Sequence, residues 1–232
     1  MALINGILDR RTADGDNRQR ISSRPLFIWE PMPDLCMPEH IDSFRQAIQQ
    51  VDIVSPNSEE LAGFFVAEPK SLAHMAAEVL EWGVGPCDNG MLVVREGKNG
   101  CSAFSRGQQI HLKAYHTQVE ESQSKVVDPT GGGNAFLGAL AMALGGEVCP
   151  QMTVANRLLG LDNDLTLEPF FHMTISLVYA TVAASFVIEQ PGMPTYRVQS
   201  DGSETWNGEA FGRRLEAYLR REKAYLIRQM DR

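Results

Sequence analysis

KVVDPTGGGNAFLGALAMALGG, residues 125–146, is the stretch whose reading decides the fold. Val126 and Val127 form a short apolar run and predict a buried strand. Gly131, Gly132 and Gly133 follow, and residues 134–146 then carry no charged side chain. Ala135, Phe136, Leu137, Ala139, Leu140, Ala143 and Leu144 leave almost no polar face, which predicts a helix buried on most sides. Gly145 and Gly146 suit its end. A strand, a glycine turn and a helix make an anion site. The helix N-terminus presents unpaired N–H groups and a partial positive charge. Glycines let the backbone approach the ligand without a Cβ in the way, and phosphate is the usual anion.

Two named phosphate loops fail on this stretch. Gly133 and Gly138 have the Walker spacing, but Ala139 and Leu140 stand where Lys and Ser/Thr are required. The dinucleotide fingerprint fails because Phe136 occupies the place of its third glycine. DPTGGGN instead resembles the DTxGAGD signature of the ribokinase, or PfkB, family of sugar and nucleoside kinases. Asp128, Thr130, Gly131 and Gly133 match, Pro129 and Gly132 are tolerable departures, and Asn134 stands where that family carries its catalytic base Asp.

Outward from this stretch, the chain alternates strands and helices. Residues 25–30, PLFIWE, read as a buried strand, and residues 31–38 as a proline-rich loop that hands Pro38 to the first turn of a helix. Ile41, Phe44, Ile48 and Val51 give that helix its apolar stripe. Residues 52–54 form a short strand. In NSEELAGFF, Asn57 caps a helix and Glu60 reaches back, the capping-box arrangement. Residues 71–82 make an amphipathic helix with Leu72, Met75, Val79 and Leu80 inward. Residues 91–94 and 101–104 make a hairpin around the GKNG turn, and Ile110, Leu112 and Ala114 alternate as one more strand. Residues 151–167 are irregular. Residues 170–188 form a mostly apolar helix near the length of a membrane span, but five polar side chains and the lack of basic flanks favour a buried core helix. Residues 209–228 form a charged helix with Phe211, Leu215, Tyr218, Leu219 and Leu226 inside.

This order is that of an α/β fold. The resemblance covers roughly residues 25–194 and implies a ribokinase-like layered α-β-α sandwich, its C-terminal portion only, with a mostly parallel sheet and a β-hairpin. The half that carries the sugar contacts and the lid is expected to be missing. Residues 1–24 are expected to be a polar segment, in part disordered, and residues 25–232 an incomplete domain. GGGN after a VSPNSEEL-like segment looks most like the fungal killer-maintenance subgroup of the family.

The resemblance also implies roles. Gly131, Gly132 and Gly133 would form the anion hole for the transferring phosphate, and Asn134 would mark the substituted base position. Asn57 and Glu60 match the N-x-x-E motif, whose Glu contacts Mg2+ through water. Arg95, Gly97 and Gly100 match a T-x-G-x-x-G nucleotide pattern with Arg95 in place of threonine, although a plain hairpin reads equally well. Asp128 and Thr130 complete the nucleotide set. The implied cofactors are ATP or ADP with Mg2+, and the implied acceptor is a small sugar or nucleoside. Weak or absent kinase activity is the leading expectation. An active kinase that uses another base and a non-catalytic scaffold that binds a protein partner are the alternatives.

The 232 residues are 44% hydrophobic and 22% charged, enough for a sizeable core, and the net charge of −8 argues against general affinity for nucleic acid or anionic membrane. Cys36, Cys87, Cys101 and Cys149 show no metal spacing and read as reduced thiols of a cytoplasmic protein. A sheet without its first strands is expected to expose an edge that a second copy or a protein partner covers.

Overall fold

The computed structural model describes residues 25–67, 69–117, 125–146, 155, 157–159 and 169–230. The expected polar segment 1–24 and most of 151–167 lie outside these residues, although 155 and 157–159 are helical rather than irregular. The fold is α/β. Among the described residues the strands and α-helices follow one another as β1 (Ile28–Trp29), α1 (Ile41–Ile48), β2 (Ile53–Val54), α2 (Ser58–Gly63), α3 (Leu72–Glu81), β3 (Met91–Arg95), β4 (Cys101–Ser105), β5 (Gln108–Leu112), α4 (Gly132–Leu144), α5 (Pro169–Val187), β6 (Tyr196–Val198), β7 (Glu204–Trp206) and α6 (Phe211–Met230). The first five strands run in the order β1-β2-β3-β4-β5, and β6 pairs with β7 alone. The described residues gather into two compact units, those up to Val94 with Ala103–Gly107, and Arg95–Ser102 with those from Gln108 onward.

In the first unit β1, β2 and β3 are parallel, with Ile28 opposite Ile53, Trp29 opposite Val54, and Val54 opposite Leu92. Parallel neighbours require crossovers, which α1 and the α2–α3 pair supply. The stripe expected on α1 is buried at Phe44, Ile48 and Val51, and α3 buries Met75, Ala76 and Val79. Phe44 stacks on Phe64 at 4.3 Å, and the Arg45 guanidinium lies 4.3 Å from the Trp82 ring. The strand expected at residues 25–30 is shorter than read and only half-buried, because its pairing with β2 spans two residues.

β4 and β5 are joined by two residues, a hairpin connection that only antiparallel strands permit. Ile110 and Leu112 are fully buried, as their alternation requires. α4 packs along α5, and α5 against α6. Phe170–Val187 is long and apolar enough to cross a membrane, but most of it is buried within the protein. Two of its hydroxyls are satisfied within the helix. Thr174 and Ser176 donate to the carbonyls of Phe170 and His172 at 2.8 Å each.

Two expectations for the organising stretch need correction. Val126 and Val127 are exposed and form no strand; the N–H groups of Val127 and Asp128 both go to the carbonyl of Ile188, at 2.8 and 3.2 Å. α4 is not buried on most sides. Gly132, Phe136, Leu140 and Ala143 form its buried stripe, whereas Met142 is 52% exposed. An uncharged face of alanine and glycine tolerates water, so low polarity alone overstated the burial. The β6–β7 hairpin was not anticipated, because Tyr196–Val198 and Glu204–Trp206 are too short and too exposed to give a period.

Candidate functional site

The glycine turn is built by backbone hydrogen bonds. Asp128 Oδ1 accepts the Thr130 N–H at 2.9 Å, and Gly132 N–H donates to the Pro129 carbonyl at 3.1 Å. Gly131 is the N-cap of α4 in the left-handed region, φ 83°, where a Cβ is strained. Gly132 is buried, and a Cβ there would stand 2.8 Å from Ile188 Cγ2. Two of the three glycines are therefore demanded by the turn and by its contact with the end of α5. Gly133 has neither a left-handed φ nor a buried position.

No side chain caps this helix. Gly132 N–H is taken by Pro129, and the intrahelical series starts with Ala135 N–H on the Gly131 carbonyl at 3.0 Å. Among the described residues, the N–H groups of Gly131, Gly133 and Asn134 meet no acceptor. They point out of a helix N-terminus with its partial positive charge, an arrangement that holds an anion. Asn134 does not cap the helix. It is the third residue of α4, exposed, at the same end as the open N–H groups. The Asp128 carboxyl is held below its ordinary range by the hydroxyl and N–H of Thr130, which makes it a weaker base.

The GKNG turn is a second element of the same unit. Glu96 N–H donates to the Gly100 carbonyl at 2.7 Å and closes it. Gly100 has φ 101°, and a Cβ there would lie 1.9 Å from the Leu112 carbonyl oxygen, so the hairpin itself requires this glycine. Gly97 has open space around it and needs only its left-handed φ of 56°. Arg95 ends β3 and is half-buried. The turn is fastened by His111, whose Nε2 lies 2.9 Å from the Asn99 carbonyl and whose Nδ1 lies 2.7 Å from the Tyr225 hydroxyl.

In the first unit the capping box is complete. Asn57 Oδ1 accepts the N–H groups of Glu59 and Glu60 at 2.9 and 2.8 Å, and Glu60 Oε2 accepts the Asn57 N–H at 2.7 Å. Glu60 is 8% exposed. Among the described residues no group of three His, Cys, Asp or Glu side chains could hold a metal ion. Cys36, Cys87 and Cys101 are free, and burial pushes the Cys101 thiol up to about 12.

Sequence reasoning missed what supports the turn. Ile188, Asn207 and Arg214 tie the end of α5 in place, and Arg214 is 3% exposed. A signal existed at Arg214, which lies on the apolar side of α6 beside Leu215 and Tyr218.

The chain is similar to known proteins of one family. The profile of the pfkB family carbohydrate kinases matches residues 31–148. Protein MAK32 of Saccharomyces cerevisiae is 33% identical over 228 residues, which cover 94% of this chain and 53% of that protein. An uncharacterized protein of Schizosaccharomyces pombe is 30% identical over 220 residues, 85% of this chain and 52% of that protein. The chain thus spans about half the length of the curated relatives it matches. The crystal structure of ribokinase from Thermotoga maritima matches 84% of this chain and 48% of its own with a TM-score of 0.51 and 21% identity, a likeness of fold.

Proposed function

Because the chain belongs to the pfkB family of carbohydrate kinases, we propose that its glycine turn holds the phosphates of ATP or ADP, and that phosphoryl transfer by this chain is weak or absent. The observation that carries this reading is the open start of α4, with the N–H groups of Gly131, Gly133 and Asn134 unpaired and no capping side chain. Such donors are fixed before the ligand arrives, so they stabilise the charge that develops on a transferring phosphoryl group without reorganising.

Asn134 limits the chemistry. Its amide can donate and accept hydrogen bonds but cannot take a proton near pH 7. A positioned general base contributes ~10²–10⁴-fold, so its loss is large without being absolute. Asp128, the nearest carboxylate in sequence, is engaged with Thr130 and is a poor replacement. Magnesium bound with the nucleotide would neutralise phosphate charge. Glu60 is the residue proposed to meet it through water, while Arg95, Gly97 and Gly100 are proposed for the nucleotide. The proposed acceptor is a small sugar or nucleoside.

The test is calorimetric titration with Mg-ATP and Mg-ADP, alongside coupled ADP release across pentoses, hexoses and nucleosides. Magnesium-dependent binding with little or no transfer is expected. Strong transfer would overturn the impaired reading. No binding, with a melting temperature unchanged by saturating Mg-ATP, would favour a scaffold that uses the fold without its phosphate site.

A further inference from the structure

The glycine turn hangs from the last turn of α5, and that turn is itself held by groups from elsewhere in the unit. A helix C-terminus leaves four carbonyls without intrahelical partners. Here two of them, and the carbonyl of Ile188 just past the helix, are met from outside. His116 Nε2 lies 3.2 Å from the Ser185 carbonyl and 3.2 Å from Glu189 Oε1, two acceptors that assign the proton to this nitrogen. Asn207 Nδ2 donates to the Phe186 carbonyl at 2.8 Å. The Ile188 carbonyl receives the N–H groups of Val127 and Asp128. The segment that leads into the glycine turn is thus one of the caps of α5.

Arg214 braces the same residues from α6. Its Nη1 stands 3.0 Å from Ser185 Oγ and 3.0 Å from Glu189 Oε1, its Nε lies 3.1 Å from Glu209 Oε2, and its guanidinium covers the Phe186 ring at 3.7 Å. Asn207 also donates to Glu189 Oε2 at 3.0 Å, from a left-handed φ of 51° that asparagine tolerates better than most residues. A buried cation is expensive unless every donor is used, and apolar packing would hold a helix end at lower cost. What the directional bonds add is a fixed orientation for the carbonyls of residues 185–188. The side chains of Val187 and Ile188 in this turn stand against Gly131 and Gly132.

We infer that Arg214 and Asn207 are positioning residues of the phosphate site, acting through the C-terminal turn of α5 on the glycine turn. The inference rests on the nucleotide reading above for its consequence, though not for its geometry. Asn207→Gly keeps the left-handed backbone and deletes the two donated bonds, together with the bond that Asn207 Oδ1 accepts from the Thr195 N–H at 2.8 Å, and Arg214→Lys keeps the charge and deletes the fork. Amide exchange by NMR on the whole chain reads the geometry without any ligand. Exchange at Val127 and Asp128 should accelerate in both variants, while Ile110 and Leu112 in β5 keep their protection. Titration with Mg-ADP should then show binding weaker by on the order of tenfold, since a displaced anion cradle loses aim before it loses donors. Should Arg214→Lys fail to fold, Asn207→Gly decides alone, because it alters a half-buried turn just after β7 and no residue of the core. Unchanged exchange at Val127 and Asp128 would overturn the inference. Absence of Mg-ADP binding by the unaltered chain would overturn the nucleotide reading and leave the exchange result to judge the positioning.

Discussion

Two helix starts in this protein solve the same problem in opposite ways. α2 satisfies its first N–H groups with its own side chains, Asn57 and Glu60. α4 begins on three glycines and satisfies almost none. Both starts face the orphan donors that every helix has. A capped start is a stable end of structure. An uncapped start leaves its donors open, and its cost is met by packing behind the turn, where Ile188 and Val187 close on Gly131 and Gly132. The contrast shows where to look for chemistry in a chain with many helices, namely at the end that its own sequence declined to cap.

The strongest way to break the contrast is to supply α4 with the carboxylate that α2 has. Gly133→Asp places one beside the open N–H groups. Binding of Mg-ADP should fall by at least about a hundredfold, because a like charge in an anion site costs several kcal/mol. The melting temperature should not fall, because a carboxylate in the first turn is favourable by about 0.3–1 kcal/mol. A loss of binding that tracks a loss of stability would mean that the site was not read correctly. Gly132→Asp is a poorer probe, since a Cβ there already meets Ile188.

The reverse change is made in α2. Asn57→Ala should cost about 1 kcal/mol in urea unfolding, the usual worth of an N-cap. Glu60→Gln keeps the capping box and removes the charge, so stability should change by no more than about 0.5 kcal/mol. If Glu60 meets magnesium, the same variant should weaken the magnesium dependence of nucleotide binding. An identical dependence in variant and parent would return Glu60 to a purely capping role.

Asn134→Asp sharpens the comparison more gently. It adds charge to the third helical position and should stabilise α4 by about 0.3–1 kcal/mol, seen as a small rise in melting temperature. ATP hydrolysis by this chain should rise little. In a longer form that contains the rest of the relatives' length, phosphoryl transfer should rise at least about tenfold, the low side of the general-base range.

The smallest effect expected comes from acid. Burial lowers the His116 imidazole below its ordinary value of 6.5, so it is neutral where it meets Ser185 and Glu189. A depressed folded-state value means that its stabilisation is present above the unfolded value and is lost as pH falls below it. Between about pH 7.5 and about pH 5.5 the parent should lose more stability than His116→Gln, measured by urea unfolding. Parallel curves for the two proteins would remove His116 from the support of the turn.

Much of the local structure was legible in the residues themselves. The capping box of Asn57 and Glu60, the apolar stripe of Phe44, Ile48 and Val51, the alternation of Ile110 and Leu112, and the resemblance around residues 128–134 all lie within a few positions of each other. Their partners are local, so sequence alone carries the information. The same holds for the open start of α4, since a run of glycines offers no capping atom.

Only the tertiary structure decided the rest. Val126 and Val127 have the composition of a strand, yet they form none, and the Val127 N–H goes to Ile188, a carbonyl far along the chain. Arg214 looked like one more charge on a charged helix, and it became the buried brace of the α5 terminus because Ser185, Glu189 and Glu209 converge on it. In each case the deciding hydrogen bond joins residues that sequence does not place side by side. Local preference can state which groups need a partner, and only the packed chain can state which partner each one finds.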